Sequence, residues 1–267
     1  VGGAERNARK KKQQSQAQAA RAVAAARGTN ADRNRMVIGA VVIVVLAAAV
    51  IGGVLISNSR SDSQASGSIP AKTVNVNYPV QRQDAVVVAG KDSAKVTVDV
   101  YEDFICPGCG AFEKNNADNI EKQLEAGTLK VRYNMLPMLN RMSSPPGYSQ
   151  RAANAGLCAA DASKFPQYHA SLYAARPEEG SSGYTADQLV QLGKDLGITD
   201  SKFESCVRGN TYDPITTKHL EDTTGNPKLQ QESGGQKGFF TPTVVSGDAI
   251  QDTSDPQWLD NLIKKAN

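Results

Sequence analysis

KVTVDVYEDFICPGCGAFEKNNADNIEKQLEAG, from Lys95 to Gly127, decides how the rest of the chain is read. Lys95 to Tyr101 alternates β-branched and polar residues, the pattern of a half-buried strand. Ala111 to Ala126 reads as a helix, and Gly127 stands where a left-handed C-cap is expected. Cys106 therefore falls at a strand-to-helix junction. Pro107 suits the first helical position, where no backbone N–H is needed. Unpaired N–H groups and the positive end of the helix dipole favour a thiolate at Cys106. Cys109 lies one turn deeper. Thiol exchange needs an exposed acidic sulfur and a shielded resolving sulfur three residues on, and Cys106-Pro107-Gly108-Cys109 supplies that spacing.

A Cys-x-x-Cys unit is also half of a zinc site, or a coincidence. Zinc needs two more soft ligands at a partner spacing. There is no second such unit, and His169 and His219 lack metal spacing, so they read as packing or surface residues. Gly110 stands where a c-type haem site would need histidine. No metal site is expected. Far downstream, Gly238-Phe-Phe-Thr-Pro-Thr-Val-Val245 places Thr241-Pro242 just before a short β run. Proline is unwelcome inside a strand but tolerated at its start, where it can be cis.

These two features together resemble the DsbA-like branch of the thioredoxin superfamily, in its membrane-anchored, actinobacterial form. Asp103-Phe104-Ile105-Cys106-Pro107-Gly108-Cys109 and Thr241-Pro242-Thr243 carry the resemblance, which extends over residues 80–267. It implies an α/β chain: a thioredoxin fold with an inserted helical domain, preceded by a single N-terminal transmembrane helix. It implies Cys106 as nucleophile, Cys109 as resolving thiol, and Thr241-Pro242 as the cis-proline turn that aligns substrate backbone beside the sulfurs. Its redox unit is the Cys106–Cys109 disulfide, with no other cofactor. Its partners are reduced secreted or membrane proteins and a quinone-linked membrane reoxidase, DsbB or vitamin K epoxide reductase-like.

The chain departs from its relatives in two places. Many carry a buried acid six residues before the first cysteine, where this chain has Val100. Glu102 is on the same strand face by alternation and is the candidate proton-transfer acid, whereas Asp99 faces the other way. The dipeptide is Pro-Gly and not Pro-His. Without that imidazole the pair should be a weaker oxidant.

Cys158 and Cys206 are isolated and 48 positions apart. An extracytoplasmic protein of the resembled kind implies a structural disulfide between them. The alternative is two free buried thiols, which behave as small hydrophobes.

The chain has 267 residues, with 40% hydrophobic and 21% charged, which excludes wholesale disorder and a polytopic membrane protein. Its net charge of +3 hides a split, because residues 1–35 hold nine of the 30 Lys and Arg but only two of the 27 acids. A basic head on a mildly acidic body points to two environments and to no nucleic-acid partner. Met36 to Ile56 is a 21-residue run without a charge. As a helix it spans about 30 Å of hydrocarbon, which predicts a signal anchor in preference to a cleaved signal peptide. The preceding bases place residues 1–35 in the cytoplasm and the body outside. Residues 57–78 read as a flexible tether, and 79–267 as the catalytic domain, with the helical insertion at about 146–236. Within it Thr185-x-x-Gln188 is a capping box, and Asp255-Pro256 is expected to open the last helix, with Trp258, Leu259, Leu262 and Ile263 as its buried stripe.

The expected function is an extracytoplasmic thiol-disulfide oxidoreductase that introduces disulfides. The alternatives are a reductase or isomerase using the same pair, and a non-catalytic thioredoxin-fold adaptor or chaperone.

Overall fold

The computed structural model describes residues 67–266. The basic tail 1–35, the expected membrane segment 36–56 and the tether up to residue 66 lie outside the described residues. Among the described residues, no helix is long and apolar enough to cross a membrane.

A central sheet runs β1-β2-β4-β3-β7-β8. Its two middle strands, β3 (Val96–Glu102) and β4 (Leu129–Met135), are parallel, from Val96 opposite Leu129 to Glu102 opposite Met135. A parallel pair needs a crossover, and helix α1 (Pro107–Ala126) supplies it. The period-2 pattern of β3 buries Val96, Val98, Val100 and Glu102 on one face. Gly127 ends α1 in the left-handed region at φ 73°, and its N–H bonds to the Leu124 carbonyl. The helix begins earlier than the expected Ala111, because Pro107 is already its first residue.

β1 (Val80–Gln83) and β2 (Val86–Ala89) form a hairpin that extends the sheet beyond β4. On the other side β7 (Thr243–Ser246) pairs antiparallel with β3, and β8 (Ala249–Ile250) pairs with β7.

Five helices form the inserted block: α2 (Tyr148–Asp161), α3 (Phe165–Ala174), α4 (Ala186–Asp195), α5 (Ser201–Arg208) and α6 (Asp213–Thr224). Eleven of the 14 residues of α2 are buried, most of them small, so it serves as the block's axis. The capping box at Thr185 is present, with reciprocal bonds to Gln188. The helical pattern does not continue to residue 236 as expected. After α6, Asn226-Pro227 opens a 3-10 turn and a small hairpin follows, β5 (Gln231–Ser233) with β6 (Gln236–Gly238). Its turn is Gly234-Gly235, at φ 59° and 78°, a conformation that costs glycine little.

The final helix, α7 (Trp258–Ala266), starts two residues after Pro256 and not at it. Asp255 still organises the entry, since its carboxylate accepts from the Gln257 N–H and its carbonyl from the Trp258 N–H. Trp258 Nε1 donates to Asn116 Oδ1 at 2.8 Å, fastening α7 to α1.

The expected tether also ends earlier than residue 78. Residues 67–78 run along the domain: Ile69 is 2% exposed, and the Lys72 N–H donates to Ser171 Oγ. Gln167 and Gln188 donate to the carbonyls of Val74 and Gly67. Two apolar side chains, Ile69 and Tyr78, are buried and hold this stretch down.

Candidate functional site

Cys106 is the N-cap of α1, with extended backbone at φ −64° and ψ 122°. Its sulfur folds back over the first turn and accepts the Cys109 N–H at 3.4 Å, as an N-cap side chain does. The approach is held rigidly. Asp103, 1% exposed, accepts from the N–H groups of Ile105 and Leu139 and from Ser149 Oγ. Arg176 donates to the Ile105 carbonyl at 2.8 Å.

The Thr241–Pro242 bond is cis and lies against the sulfurs. The Cys106 thiol donates to the Thr241 carbonyl at 3.4 Å, across 135 residues of sequence. A Cβ on Gly108 would sit 3.1 Å from Pro242 Cδ and 3.7 Å from Cys106 Sγ, so the dipeptide faces the proline turn. Thr243, opposite Tyr101, anchors the turn to β3. The structure thus brings Cys106, Gly108, Cys109, Thr241 and Pro242 into one cluster.

Cys106 is less open than its sequence suggests. It is 5% exposed and Cys109 is 0% exposed, because the capping conformation turns the sulfur inward, under the Thr241–Pro242 turn. Both are free thiols. Their acidities are driven apart. The Cys109 thiol's hydrogen bond lowers Cys106 most, with the Thr241 side chain and the N–H groups of Cys109 and Gly108 adding to it. Against the opposing cost of burial, Cys106 falls from 9.0 to about 6. Cys109 is pushed well above its ordinary value, by burial first and then by its bond to Cys106.

Glu102 shares the buried face of Val100 and is 0% exposed. Burial raises its carboxyl to about 8, offset by a hydrogen bond from Glu113. Glu102 Oε2 lies 3.1 Å from Nε2 of His169 on α3. The other ring nitrogen, Nδ1, lies 3.8 Å from Glu113 Oε2. Glu113 is also buried and raised to about 8, by burial and by Glu102. His169 is lowered by burial. The three side chains present ligand atoms within 4.8 Å of one another, close enough for a metal cage. The imidazole faces a different carboxyl with each nitrogen, Glu102 through Nε2 and Glu113 through Nδ1, an arrangement suited to proton sharing.

The "Thioredoxin" family model matches residues 82–265. The chain belongs to the thioredoxin family. Within it, the chain is DsbA-like. It is 29% identical to serine/threonine-protein kinase PknE of Mycobacterium tuberculosis over 66% of this chain, and spans 31% of the kinase's length. It is 27% identical to disulfide bond formation protein D of Bacillus subtilis, over 67% of this chain and 77% of that protein. Reduced DsbA from M. tuberculosis superposes with a TM-score of 0.57 at 24% identity, covering 68% of this chain and 92% of the other, a likeness of fold.

Two members of this DsbA-like site carry weak signals in the sequence. Glu113 follows Cys109 by four residues, so both fall on one helix face. His169 reads as a packing residue, and it is buried, but its contact with Glu102 spans 67 positions and leaves no local trace. His219 takes no part: its Nε2 meets Asn134 Oδ1 at 2.8 Å. Cys158 and Cys206 form a disulfide joining α2 to α5.

Proposed function

We propose that this protein is an extracytoplasmic thiol-disulfide oxidoreductase that introduces disulfides into secreted or membrane proteins. One observation carries the reading: a thiol lowered to about 6 caps a helix, over a free second thiol and beside a cis-proline turn. A client thiolate attacks Cys106 Sγ of the oxidised pair, and Cys109 leaves as thiolate and takes a proton. The client's second thiolate then attacks its own sulfur in the mixed disulfide. Two electrons have passed to the enzyme, the client holds a disulfide, and Cys106 departs as the stabilised thiolate. Stabilising the reduced form in this way makes the disulfide a better oxidant, which favours the oxidase direction over reductase or isomerase. The Thr241–Pro242 turn aligns the client backbone, and Glu102 exchanges the proton of Cys109.

A disulfide on a quinone-linked membrane protein, of DsbB or vitamin K epoxide reductase-like type, regenerates the pair. The uncharged run 36–56 behind nine bases supports anchorage with the catalytic domain outside. The test is disulfide transfer to a reduced, unfolded two-cysteine protein, together with equilibration of the Cys106–Cys109 couple in glutathione buffers. An oxidase drives the client to its disulfide and stays reduced where thioredoxin-type pairs are oxidised. A wild-type rate in Cys106→Ala would falsify the mechanism.

A further inference from the structure

Glu113 and His169, the latter in contact with Glu102, border a cavity of about 50 Å³ whose lining includes neither cysteine of the pair nor Pro242. Tyr78, Tyr133, Ala117 and Glu121 also line it. A water needs roughly 10–15 Å³ of such space and two or more polar partners, so this cavity has room for a few. Glu121 and Ala117 are only half-buried, which brings one end of the cavity close to solvent. Glu102 Oε1 and Glu113 Oε1 are buried and have no hydrogen-bond partner among the protein's own groups.

Cys109 has 0% exposure, so a client seated on the Pro242 turn leaves its sulfur no route to water on that side. A thiolate released there is costly unless a proton reaches it. We propose that His169 and Glu113 carry protons between Glu102 and the water of this cavity, giving Cys109 a rear exit to solvent while a client covers the front. The inference rests on the assignment of Glu102 as proton partner of Cys109.

The contacts form a chain. Glu102 Oε2 meets His169 Nε2 at 3.1 Å, and His169 Nδ1 lies 3.8 Å from Glu113 Oε2. The second separation is longer than a hydrogen bond, and the two carboxyls also lie in hydrogen-bond reach of each other. In the closing step of oxidation, Cys109 gives its proton to Glu102 and attacks Cys106 Sγ of a mixed disulfide, whose other sulfur leaves as thiolate. Glu102 returns the proton through His169 and Glu113. Client oxidation runs the same path in reverse. The titratable groups facing this path are Cys106, Cys109 and Glu121 from α1, Tyr133 from β4, Tyr173 from α3, and Tyr78. With both carboxyls raised to about 8 and the imidazole lowered, all three groups favour their neutral forms near neutral pH.

The experiment mixes the reduced full chain with excess glutathione disulfide, quenches in acid, and follows the Cys106–glutathione adduct and its closure across pH. Glu113→Gln and His169→Gln should slow closure at least tenfold and move its pH midpoint. Alkylation of Cys106, which needs no relay, should be unchanged. Formate should restore closure in Glu113→Ala. Ala117→Met, which narrows the cavity without touching either sulfur, should slow the same step and covers the case in which a buried variant fails to fold. Wild-type closure in Glu113→Gln and His169→Gln, with slow closure in Glu102→Gln, overturns the relay and keeps Glu102. Wild-type closure in Glu102→Gln as well removes the proton assignment beneath it. Closure and alkylation slowed equally, with an unmoved pH profile, reduces Glu113 and His169 to packing and also overturns the relay.

Discussion

Cys106 and Cys109 lie three residues apart and stand as free thiols, whereas Cys158 and Cys206 lie 48 apart and are bonded. The first pair sits where a helix begins, among open backbone donors, a proline turn and buried acids. The second joins two helices of the inserted block, with Cys158 1% exposed and Cys206 half-buried. One residue type serves as reagent in one region and as staple in the other. The difference comes from what surrounds each sulfur. A helix N-terminus stabilises an anion, and that makes the disulfide a good electron acceptor. A bridge over a long loop instead restricts the unfolded chain.

The comparison breaks most sharply by exchanging the losses. Cys106→Ala should abolish disulfide transfer, and Cys109→Ala should accumulate mixed disulfides on non-reducing gels. The double variant Cys158→Ala, Cys206→Ala should transfer at near wild-type rates. If it does not, the staple is also part of the reagent. That same double variant should lose roughly 4 kcal/mol of stability in the chain-entropy model for a loop of this length, read from its denaturant midpoint. The Cys106–Cys109 pair closes a loop of only a few residues and carries no comparable chain-entropy gain.

pH sharpens the contrast. In the reduced protein, iodoacetamide should modify Cys106 with a midpoint at about pH 6, and Cys109 should stay unmodified. The sign follows from the lowered folded value. The stability that Cys106 lends the reduced form is full above the unfolded thiol's value and is lost as pH falls toward about 6. The melting difference between reduced and oxidised protein should therefore grow between pH 6 and 9. A flat difference would mean that the helix end does not hold a thiolate. The smallest expected effect lies in the helical block. Thr185→Ala removes one half of the capping box on α4 and should cost about 1 kcal/mol, with disulfide transfer untouched.

Much of the site was legible beforehand because its parts are local signals. The alternation of β3, the proline after Cys106, the glycine ending α1 and the proline before β7 each express a constraint that acts within a few residues. The block's end leaves little trace in the sequence because a 3-10 turn and a glycine-rich hairpin, Gln231–Gly238, follow the last helix without a change in polarity. The segment 67–78 reads as a tether because it continues a run of small polar residues, but buried Ile69 and Tyr78 seat it on the domain.

The sequence by itself determined that two sulfurs sit at the start of a helix, that a proline turn would follow far downstream, and that Glu102 shares a face with Val100. These depend on helix geometry, strand periodicity and the absence of a proline N–H. Only the tertiary structure decided that Cys106 is nearly covered, that Glu113 and His169 converge on Glu102, and that a cavity opens behind them. Burial, proton affinity and solvent access at one atom depend on side chains from many segments at once, and no stretch of sequence contains that sum.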